Sequence, residues 1–182
     1  DFGGYLKGVA LDRAAASLKQ DGIANALINI GGNVIALGSR DGAGTPWRIG
    51  IQHPRPQAVG GAPLATLDLR DGEAIGTSGD YHRFFEVGGR RYPHLLDPRS
   101  GFPAEGTQAV TVLIVPGPSV GMKSDALSKP IFIAGRDWRA MAQKLGVAAV
   151  LKVGADGTAQ ATPAMQARIK VEVPDLKLEV VQ

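Results

Sequence analysis

The clearest helical pattern stands near the start of the chain. Apolar residues recur every three or four positions from Leu6 to Leu18, and Gly22 provides a stop. This spacing predicts a helix that begins close to Gly3-Gly4. Two further helices are predicted, over residues 119–128 and 137–145. We expect Pro130 to interrupt the first of these, because proline disfavours helical geometry in the residue before it.

Short runs of alternating or β-branched apolar residues predict the strands. They cover residues 25–29, 34–37, 47–52, 64–69, 84–87, 92–96, 108–115, 147–153, 168–173 and 176–181. Gly31-Gly32 separates the first two, which favours a hairpin or a bulged strand with accessible backbone. The sequence therefore predicts an α+β domain, mostly antiparallel sheet with two to three helices. We expect one domain over residues 1–182, with 168–182 as a C-terminal strand extension.

The segment 84–96 reads as a hairpin with polar residues at both ends. Gly88-Gly89 separates its apolar runs, and paired glycines accept the positive φ angles of tight hairpin turns. Residues 77–80 precede the hairpin, and His94 and residues 97–101 follow its second strand. Because a hairpin brings its ends together, hydroxyls, a carboxylate, an imidazole and a guanidinium should meet at one edge. This predicts a functional site.

Composition narrows the class of protein. The net charge of +3 comes from 20 basic and 17 acidic residues that are scattered along the chain, so nothing indicates a nucleic-acid partner. No apolar run approaches the ~20 residues that span a bilayer, so we expect no transmembrane segment. The absence of cysteine excludes disulfides, thiolate metal sites and cysteine nucleophiles.

Two motifs resemble a known family. Residues 77–81 and 94–101 are similar to the signature motifs of the ApbE-type FAD:protein FMN transferases, and further matches cover residues 1–8, 29–33, 47–52 and 125–128. The resemblance spans about residues 1–135 and implies a flavin transferase domain with a T-fold-like architecture, corresponding to the C-terminal portion of the family's proteins. It implies that FMN moves from FAD to a threonine or serine of a target protein, with Mg²⁺ as a cofactor. By analogy, we expect a periplasmic or membrane-anchored protein.

The resemblance also implies site residues. The catalytic candidates are His94, Asp97 and Asp125. The flavin-binding candidates are Gly3, Gly4, Lys7, Gly31, Gly32, Asn33, Thr77, Ser78, Gly79, Asp80 and Arg99.

Each candidate also has a structural interpretation. His94 suits proton transfer near neutral pH, but a histidine also ends strands. Arg99 is either a phosphate clamp or part of a simple Asp-Pro turn. Gly3-Gly4 either receives a phosphate at a helix start or allows close helix packing. We interpret His53 and His82 as surface positions.

The metal site departs from the family pattern. The resemblance implies Mg²⁺ ligands from Asp125, the backbone carbonyl of Leu6 and a threonine at the position of Lys129. An ammonium group has no lone pair and cannot replace that hydroxyl. Lys129 therefore either places its own charge where the metal would lie or pairs with Asp125 across one helical turn. Asn33 also replaces the family's usual aspartate, so two alternatives to transfer stay open: an FAD pyrophosphatase and a non-catalytic flavin-binding module.

Overall fold

The computed structural model describes residues 2–56, 60–174 and 176–182. Short 3-10 turns cover Phe2–Gly4 and Gly135–Asp137. The helices are α1 (Leu6–Gln20), α2 (Val120–Ile133), α3 (Trp138–Lys144) and α4 (Pro163–Gln166). The strands are β1 (Ala26–Ile30), β2 (Asn33–Leu37), β3 (Trp47–Gln52), β4 (Pro63–Leu69), β5 (Ala74–Gly79), β6 (Phe84–Val87), β7 (Arg90–Pro93), β8 (Thr107–Ile114), β9 (Ala149–Gly154), β10 (Ala159–Ala161), β11 (Ile169–Val171) and β12 (Leu178–Val180).

The strands form three sheets. The largest has seven strands in the order β1-β2-β5-β8-β9-β10-β12, and every neighbouring pair except β10 with β12 is antiparallel. A smaller antiparallel sheet has the order β11-β4-β3, and β6 pairs with β7 as the predicted hairpin. The fold confirms the prediction of an α+β domain with mostly antiparallel sheet.

The large sheet lies between helices α1 to α3 on one side and the small sheet with α4 on the other. Along β8, Ala109 and Leu113 pack into one core cluster with the residues of β4, whereas Val110 and Val112 pack with Ile131 of α2. Alternate residues of a strand face opposite sides of a sheet, so burial on both sides requires an almost continuous apolar run. This explains why residues 108–115 are apolar or β-branched nearly throughout.

Helix α2 corrects one prediction, because it continues through Pro130 to Ile133. Proline removes one helical hydrogen bond and disfavours helix at the preceding residue. Here Ile131 and Phe132 are completely buried against the large sheet. Burial of two such side chains is worth roughly 3–6 kcal/mol, which offsets the ~3 kcal/mol cost of proline in a helix interior.

The C-terminal third also differs from the prediction. The sequence patterns missed β10 and the single-turn helix α4, so the described residues contain four helices rather than two to three. Thr162 caps α4, since its hydroxyl accepts a hydrogen bond from the Met165 amide, and Pro163 occupies the first turn. The predicted strands 168–173 and 176–181 are shorter than expected, at three residues each, and pair with β4 and β10 respectively. No helix in the described ranges is long and apolar enough to cross a bilayer.

Helices α1 and α2 cross at two glycines. A Cβ atom on Gly8 would lie 2.2 Å from the Gly121 carbonyl oxygen, and one on Gly121 would lie 2.6 Å from the Gly8 carbonyl oxygen. Such distances are far below van der Waals contact, so the crossing requires residues without a side chain. The close approach brings the start of α1 beside Asp125 of α2, where the candidate site lies.

Candidate active site

A cleft of about 740 Å³ lies where the start of α1, the β1–β2 turn and the end of β5 meet. Thr77 and Ser78 line it from β5, and His94 lines it from the end of the hairpin. Of the groups predicted to meet at the hairpin ends, the hydroxyls and the imidazole therefore do so here. Lys7 of α1 and Lys129 of α2 complete it. Segments far apart in sequence therefore converge on one open space.

The cleft combines positive charge with accessible backbone. Lys7, Arg83 and Lys129 line it, and no carboxylate side chain stands among its described lining residues. Gly31 and Gly32 have φ angles of 58° and 88°, which favour glycine. A Cβ atom on Gly31 would lie 3.1 Å from Cδ of Lys7, so the lysine stem passes directly over this turn. Such a surface suits a phosphorylated ligand.

His94 holds one ring nitrogen fixed. Its Nδ1 lies 3.0 Å from the backbone carbonyl oxygen of Arg83. Because a carbonyl only accepts hydrogen bonds, Nδ1 carries the proton and Nε2 keeps its lone pair. Partial burial lowers the pKa of His94, the Arg83 carbonyl opposes this shift, and the charges of Arg83, Lys129 and Lys7 lower the pKa further. The imidazole is therefore neutral at pH 7 and can accept a proton.

The β5 residues support the floor of the cleft. The Thr77 hydroxyl lies 2.9 Å from that of Thr111, and the buried Ser78 hydroxyl lies 2.8 Å from that of Ser128 on α2. Gly79 must be small, because an added Cβ would lie 2.1 Å from the ring of Tyr81. These contacts tie the end of β5 to its neighbours and hold its backbone in place at the cleft.

Asp125 and Lys129 form a tight pair beneath the cleft. The Lys129 ammonium donates to Asp125 Oδ1 at 2.6 Å and to the Asp125 backbone carbonyl at 2.7 Å. Burial lowers the pKa of Lys129, the bonds to Asp125 oppose this shift, and the charge of Lys7 lowers the pKa further. Lys129 therefore pairs with Asp125 across one helical turn, and its charge lies at the carboxylate.

These residues do not fit a divalent metal ion. Oδ1 of Asp125, the carboxylate expected to hold Mg²⁺, accepts a hydrogen bond from Lys129, and an ammonium group cannot be a ligand. Within the described parts of the chain, no group of three or more His, Asp or Glu side chains is placed to hold a metal. Leu6, whose carbonyl was the third expected ligand, opens α1 with a half-exposed side chain.

The two helices cap each other at their amino-terminal ends. Asp125 Oδ2 of α2 accepts a hydrogen bond from the Gly8 amide of α1 at 3.0 Å. In return, Asp12 of α1 accepts hydrogen bonds from the Gly121 and Met122 amides of α2, at 2.7 and 2.9 Å. Carboxylates satisfy the free amides of a helix start and complement its positive dipole end. One of the α1 amides that we expected to face a phosphate is therefore occupied by Asp125.

Besides Asp125 and Leu6, five predicted site residues lie outside the lining of this cleft. Asp80 is buried and accepts two hydrogen bonds from Arg55, at 2.7 and 2.8 Å. Asp97 and Arg99 pair with each other in an exposed turn, at 2.7 Å, which lowers the pKa of Asp97 and corresponds to the turn interpretation. Asn33 is 1% exposed within β2, and its Nδ2 has no hydrogen-bond partner among the described residues. Gly4 also lies outside the lining, where an added Cβ would be 3.6 Å from Cδ of Lys129.

The structure adds residues that the sequence analysis missed. Tyr81, His82 and Arg83 line the cleft, although His82 was interpreted as a surface position. His82 is indeed exposed, and its ring lies 4.5 Å from that of Tyr81. Burial and the charge of Asp80 raise the pKa of Tyr81 to about 12. The signal was available, because these residues belong to the same hairpin end as 77–80.

The fold and the cleft define an α+β domain with a cationic, glycine-lined cleft. The model of the ApbE family matches residues 1–151 of this chain. The chain therefore belongs to the ApbE family.

Relatives and solved structures agree with this assignment. The chain is 43% identical over 171 residues to an FAD:protein FMN transferase of Rhodobacter capsulatus, covering 93% of this chain and 31% of that protein. It is 34% identical over 131 residues to an FAD:protein FMN transferase of Escherichia coli strain K12, covering 71% of this chain and 35% of that protein.

Among crystal structures, the ApbE protein of Thermotoga maritima gives a TM-score of 0.80 at 37% identity, covering 92% of this chain and 52% of that one. The Pseudomonas stutzeri flavinyl transferase ApbE gives a TM-score of 0.73 at 34% identity, covering 92% of this chain and 50% of that one. The chain thus spans about a third of the length of these curated relatives and about half of the solved chains.

Proposed function

We propose that this chain binds FAD and transfers its FMN part to a threonine or serine hydroxyl of a target protein, releasing AMP. The observation that carries the proposal is the convergence of Lys7, Lys129 and His94 on one glycine-lined cleft. The family assignment supports the same conclusion, since relatives at 43% and 34% identity bear this activity in their names.

The diphosphate of FAD fits the charge of the cleft. Phosphoryl transfer requires positive groups that neutralise the phosphate oxygens as charge moves to the leaving group. Lys7 and Lys129 supply that charge, and the Gly31-Gly32 turn lets a ligand approach the backbone closely. We therefore assign the diphosphate to the space between the two lysines and the turn.

A neighbouring cavity suits the flat flavin ring. It has a volume of about 360 Å³ and shares Gly31, Gly32 and Thr77 with the cleft, so the two spaces lie side by side. Val34, Ile49 and Ile75 are among its apolar lining residues. An aromatic ring system buried against aliphatic side chains leaves water favourably. We assign this cavity to the isoalloxazine ring.

His94 is the candidate general base. In the transfer, a target hydroxyl attacks the phosphorus on the FMN side, the bond to the bridging oxygen breaks, and AMP leaves with the bonding electrons. The hydroxyl proton must go to a base, and Nε2 of His94 has the free lone pair for it. We give Asp97 and Arg99 no part in this step, because they bind each other outside the cleft lining.

One observation favours a second candidate, a flavin-binding module without efficient chemistry. Lys129 donates a hydrogen bond to the Asp125 carboxylate that was expected to hold Mg²⁺. Metal ions commonly neutralise the charge that develops in phosphoryl transfer, so a site without the ion would transfer FMN less efficiently. A pyrophosphatase would differ from a transferase only in using water instead of the target hydroxyl.

The test incubates the chain with FAD and acceptor peptides that contain threonine or serine, followed by mass spectrometry and AMP quantification. We expect the peptide mass to rise by that of FMN less water, in step with AMP release. AMP without a modified peptide would indicate a pyrophosphatase. FAD binding without AMP would indicate a binding module, and a folded chain that does not bind FAD would refute the proposal.

A further inference from the structure

Lys129 reaches Asp125 in a setting unlike that of a surface ion pair. Asp125 is 1% exposed and the Lys129 side chain is 20% exposed, whereas surface pairs leave both partners in water. The lysine lines the same cleft as Lys7 and His94. Its stem packs beside the first turn of the chain, since a Cβ atom on Gly4 would lie 3.6 Å from its Cδ. The ammonium is therefore held at the floor of the ligand site.

The acceptor atoms of Asp125 are all engaged. Oδ1 and the backbone carbonyl accept from Lys129, Oδ2 accepts from the Gly8 amide, and the carbonyl accepts a further bond from the Ser128 hydroxyl. A divalent ion at these oxygens would have to expel the ammonium. The expelled charge would then stand close to the ion in a partly buried site, where repulsion is poorly screened.

The ammonium has capacity left for a ligand. Three protons are available on Nζ, and the two bonds to Asp125 use two of them. The third can reach an oxygen of a ligand in the cleft. Asp125 thus orients the Lys129 ammonium, and the ammonium presents its positive charge to the cleft. A metal ion bound to Asp125 would present positive charge at the same place.

We propose that the Lys129 ammonium takes the place of a divalent metal ion at Asp125, so that this chain holds the diphosphate of FAD without Mg²⁺. The identity of the ligand rests on the proposed function. The exclusion of metal from Asp125 does not, because it follows from the contacts of Lys129 alone.

The first experiment measures metal binding without any flavin. Mn²⁺ is titrated into the wild type and into Lys129→Thr, and free Mn²⁺ is followed by electron paramagnetic resonance. We expect no binding to the wild type at millimolar Mn²⁺ and one bound ion in the variant, where the hydroxyl can join Asp125 as a ligand. Binding to the wild type, or no binding to a variant that melts at the wild-type temperature, would overturn the proposal.

The second experiment measures FAD affinity by flavin fluorescence, in EDTA and in MgCl₂. For the wild type we expect the same dissociation constant in both. Lys129→Met should weaken binding about tenfold to a hundredfold, the usual value of a hydrogen bond to a charged group. Lys123→Met is the matched control, because Lys123 lies on the same helix and outside the cleft lining, and it should bind as the wild type does.

The outcomes separate the two proposals. Tenfold tighter FAD binding by the wild type in MgCl₂ would overturn the metal replacement and leave the proposed function intact. If the folded wild type binds no FAD in either buffer, the proposed function fails, and the Mn²⁺ titration still decides whether Lys129 excludes metal from Asp125. Melting temperatures of all variants show whether each is folded.

Discussion

Gly8→Ala places a methyl group in the contact between α1 and α2. The new Cβ would lie 2.2 Å from the Gly121 carbonyl oxygen and 2.6 Å from Cα of Met122. Unstrained carbon–oxygen contacts are about 3.3 Å or longer, so the helices must separate by roughly 1 Å. Both obstacles are backbone atoms of a buried helix start, which cannot rotate away as a side chain would.

The expected cost follows from three contributions. Overpacking costs about 1–3 kcal/mol. Separation of the helices also weakens the buried bond from the Gly8 amide to Asp125, and a bond to a charged group is worth about 1.5–3 kcal/mol. Alanine regains about 1 kcal/mol through its higher helix propensity. The free energy of unfolding should therefore fall by roughly 2–4 kcal/mol, which for a chain of this size lowers the melting temperature by roughly 5–15 °C.

Circular dichroism melting checks this expectation. Gly4→Ala is the matched control, because its Cβ would make an ordinary contact of 3.6 Å with the flexible Lys129 stem, and Gly4 has no positive φ. That variant should melt at the wild-type temperature. A Gly8→Ala protein as stable as the wild type would show that the helices adjust freely and that close packing does not position Asp125.

Three further predictions test the site and its supports. His94→Ala should lower the rate of FMN transfer by about 10²–10⁴ and leave FAD affinity unchanged. Because the pKa of His94 is lowered, the wild-type rate should fall only below pH 6.5. If the rate and the FAD affinity of the variant fall together, His94 is a binding residue instead. Arg168→Met should cost about 3–5 kcal/mol in urea unfolding at pH 7, because it leaves Glu73 buried without its partner at 2.8 Å. Burial raises the pKa of Glu73, but Arg168 and the Arg70 amide together lower it by more, so that ionised Glu73 stabilises the wild type fully above pH 4.5 and less as the pH falls below it. Because protonated Glu73 no longer needs Arg168, the advantage of the wild type over the variant should shrink in acid, and a pH-independent difference would contradict this assignment. Asp12→Ala should lower the free energy of unfolding by about 1–2 kcal/mol in the same urea assay, because the Gly121 amide loses the carboxylate that caps it. A smaller loss in high salt than in low salt would identify the charge of Asp12 as the cause.

Much of the fold could be predicted from the sequence because it depends on local patterns. Gly88-Gly89 takes φ angles of 58° and 75°, as the hairpin prediction requires, and β6 and β7 pair across that turn. The Gly31-Gly32 turn joins β1 and β2 in the same way. Runs of alternating or β-branched apolar residues located most strands of four or more residues. Such strands and turns are determined by residues that are neighbours in the sequence, so the sequence alone is enough to predict them.

The local conformational preferences of the chain led to wrong predictions where tertiary contacts had the larger energetic effect. Pro130 predicts an end to α2, but burial of Ile131 and Phe132 keeps the helix intact. The strand β10 and the helix α4 are too short to show a period, and their pairing and capping hold them in place.

For the candidate site, the sequence determined which residue types the cleft contains, and the tertiary structure decided which of them face it. Motif residues such as Asp80 and Arg99 were indistinguishable from Lys7 and His94 until their partners were known. Arg55 binds Asp80 from 25 residues away, and Asp125 meets the Gly8 amide from 117 residues away. The pair of Asp125 with Lys129 was foreseeable, because both stand on one turn of a helix. Its burial beneath the cleft was not, because that depends on how two helices, distant in sequence, pack through Gly8 and Gly121.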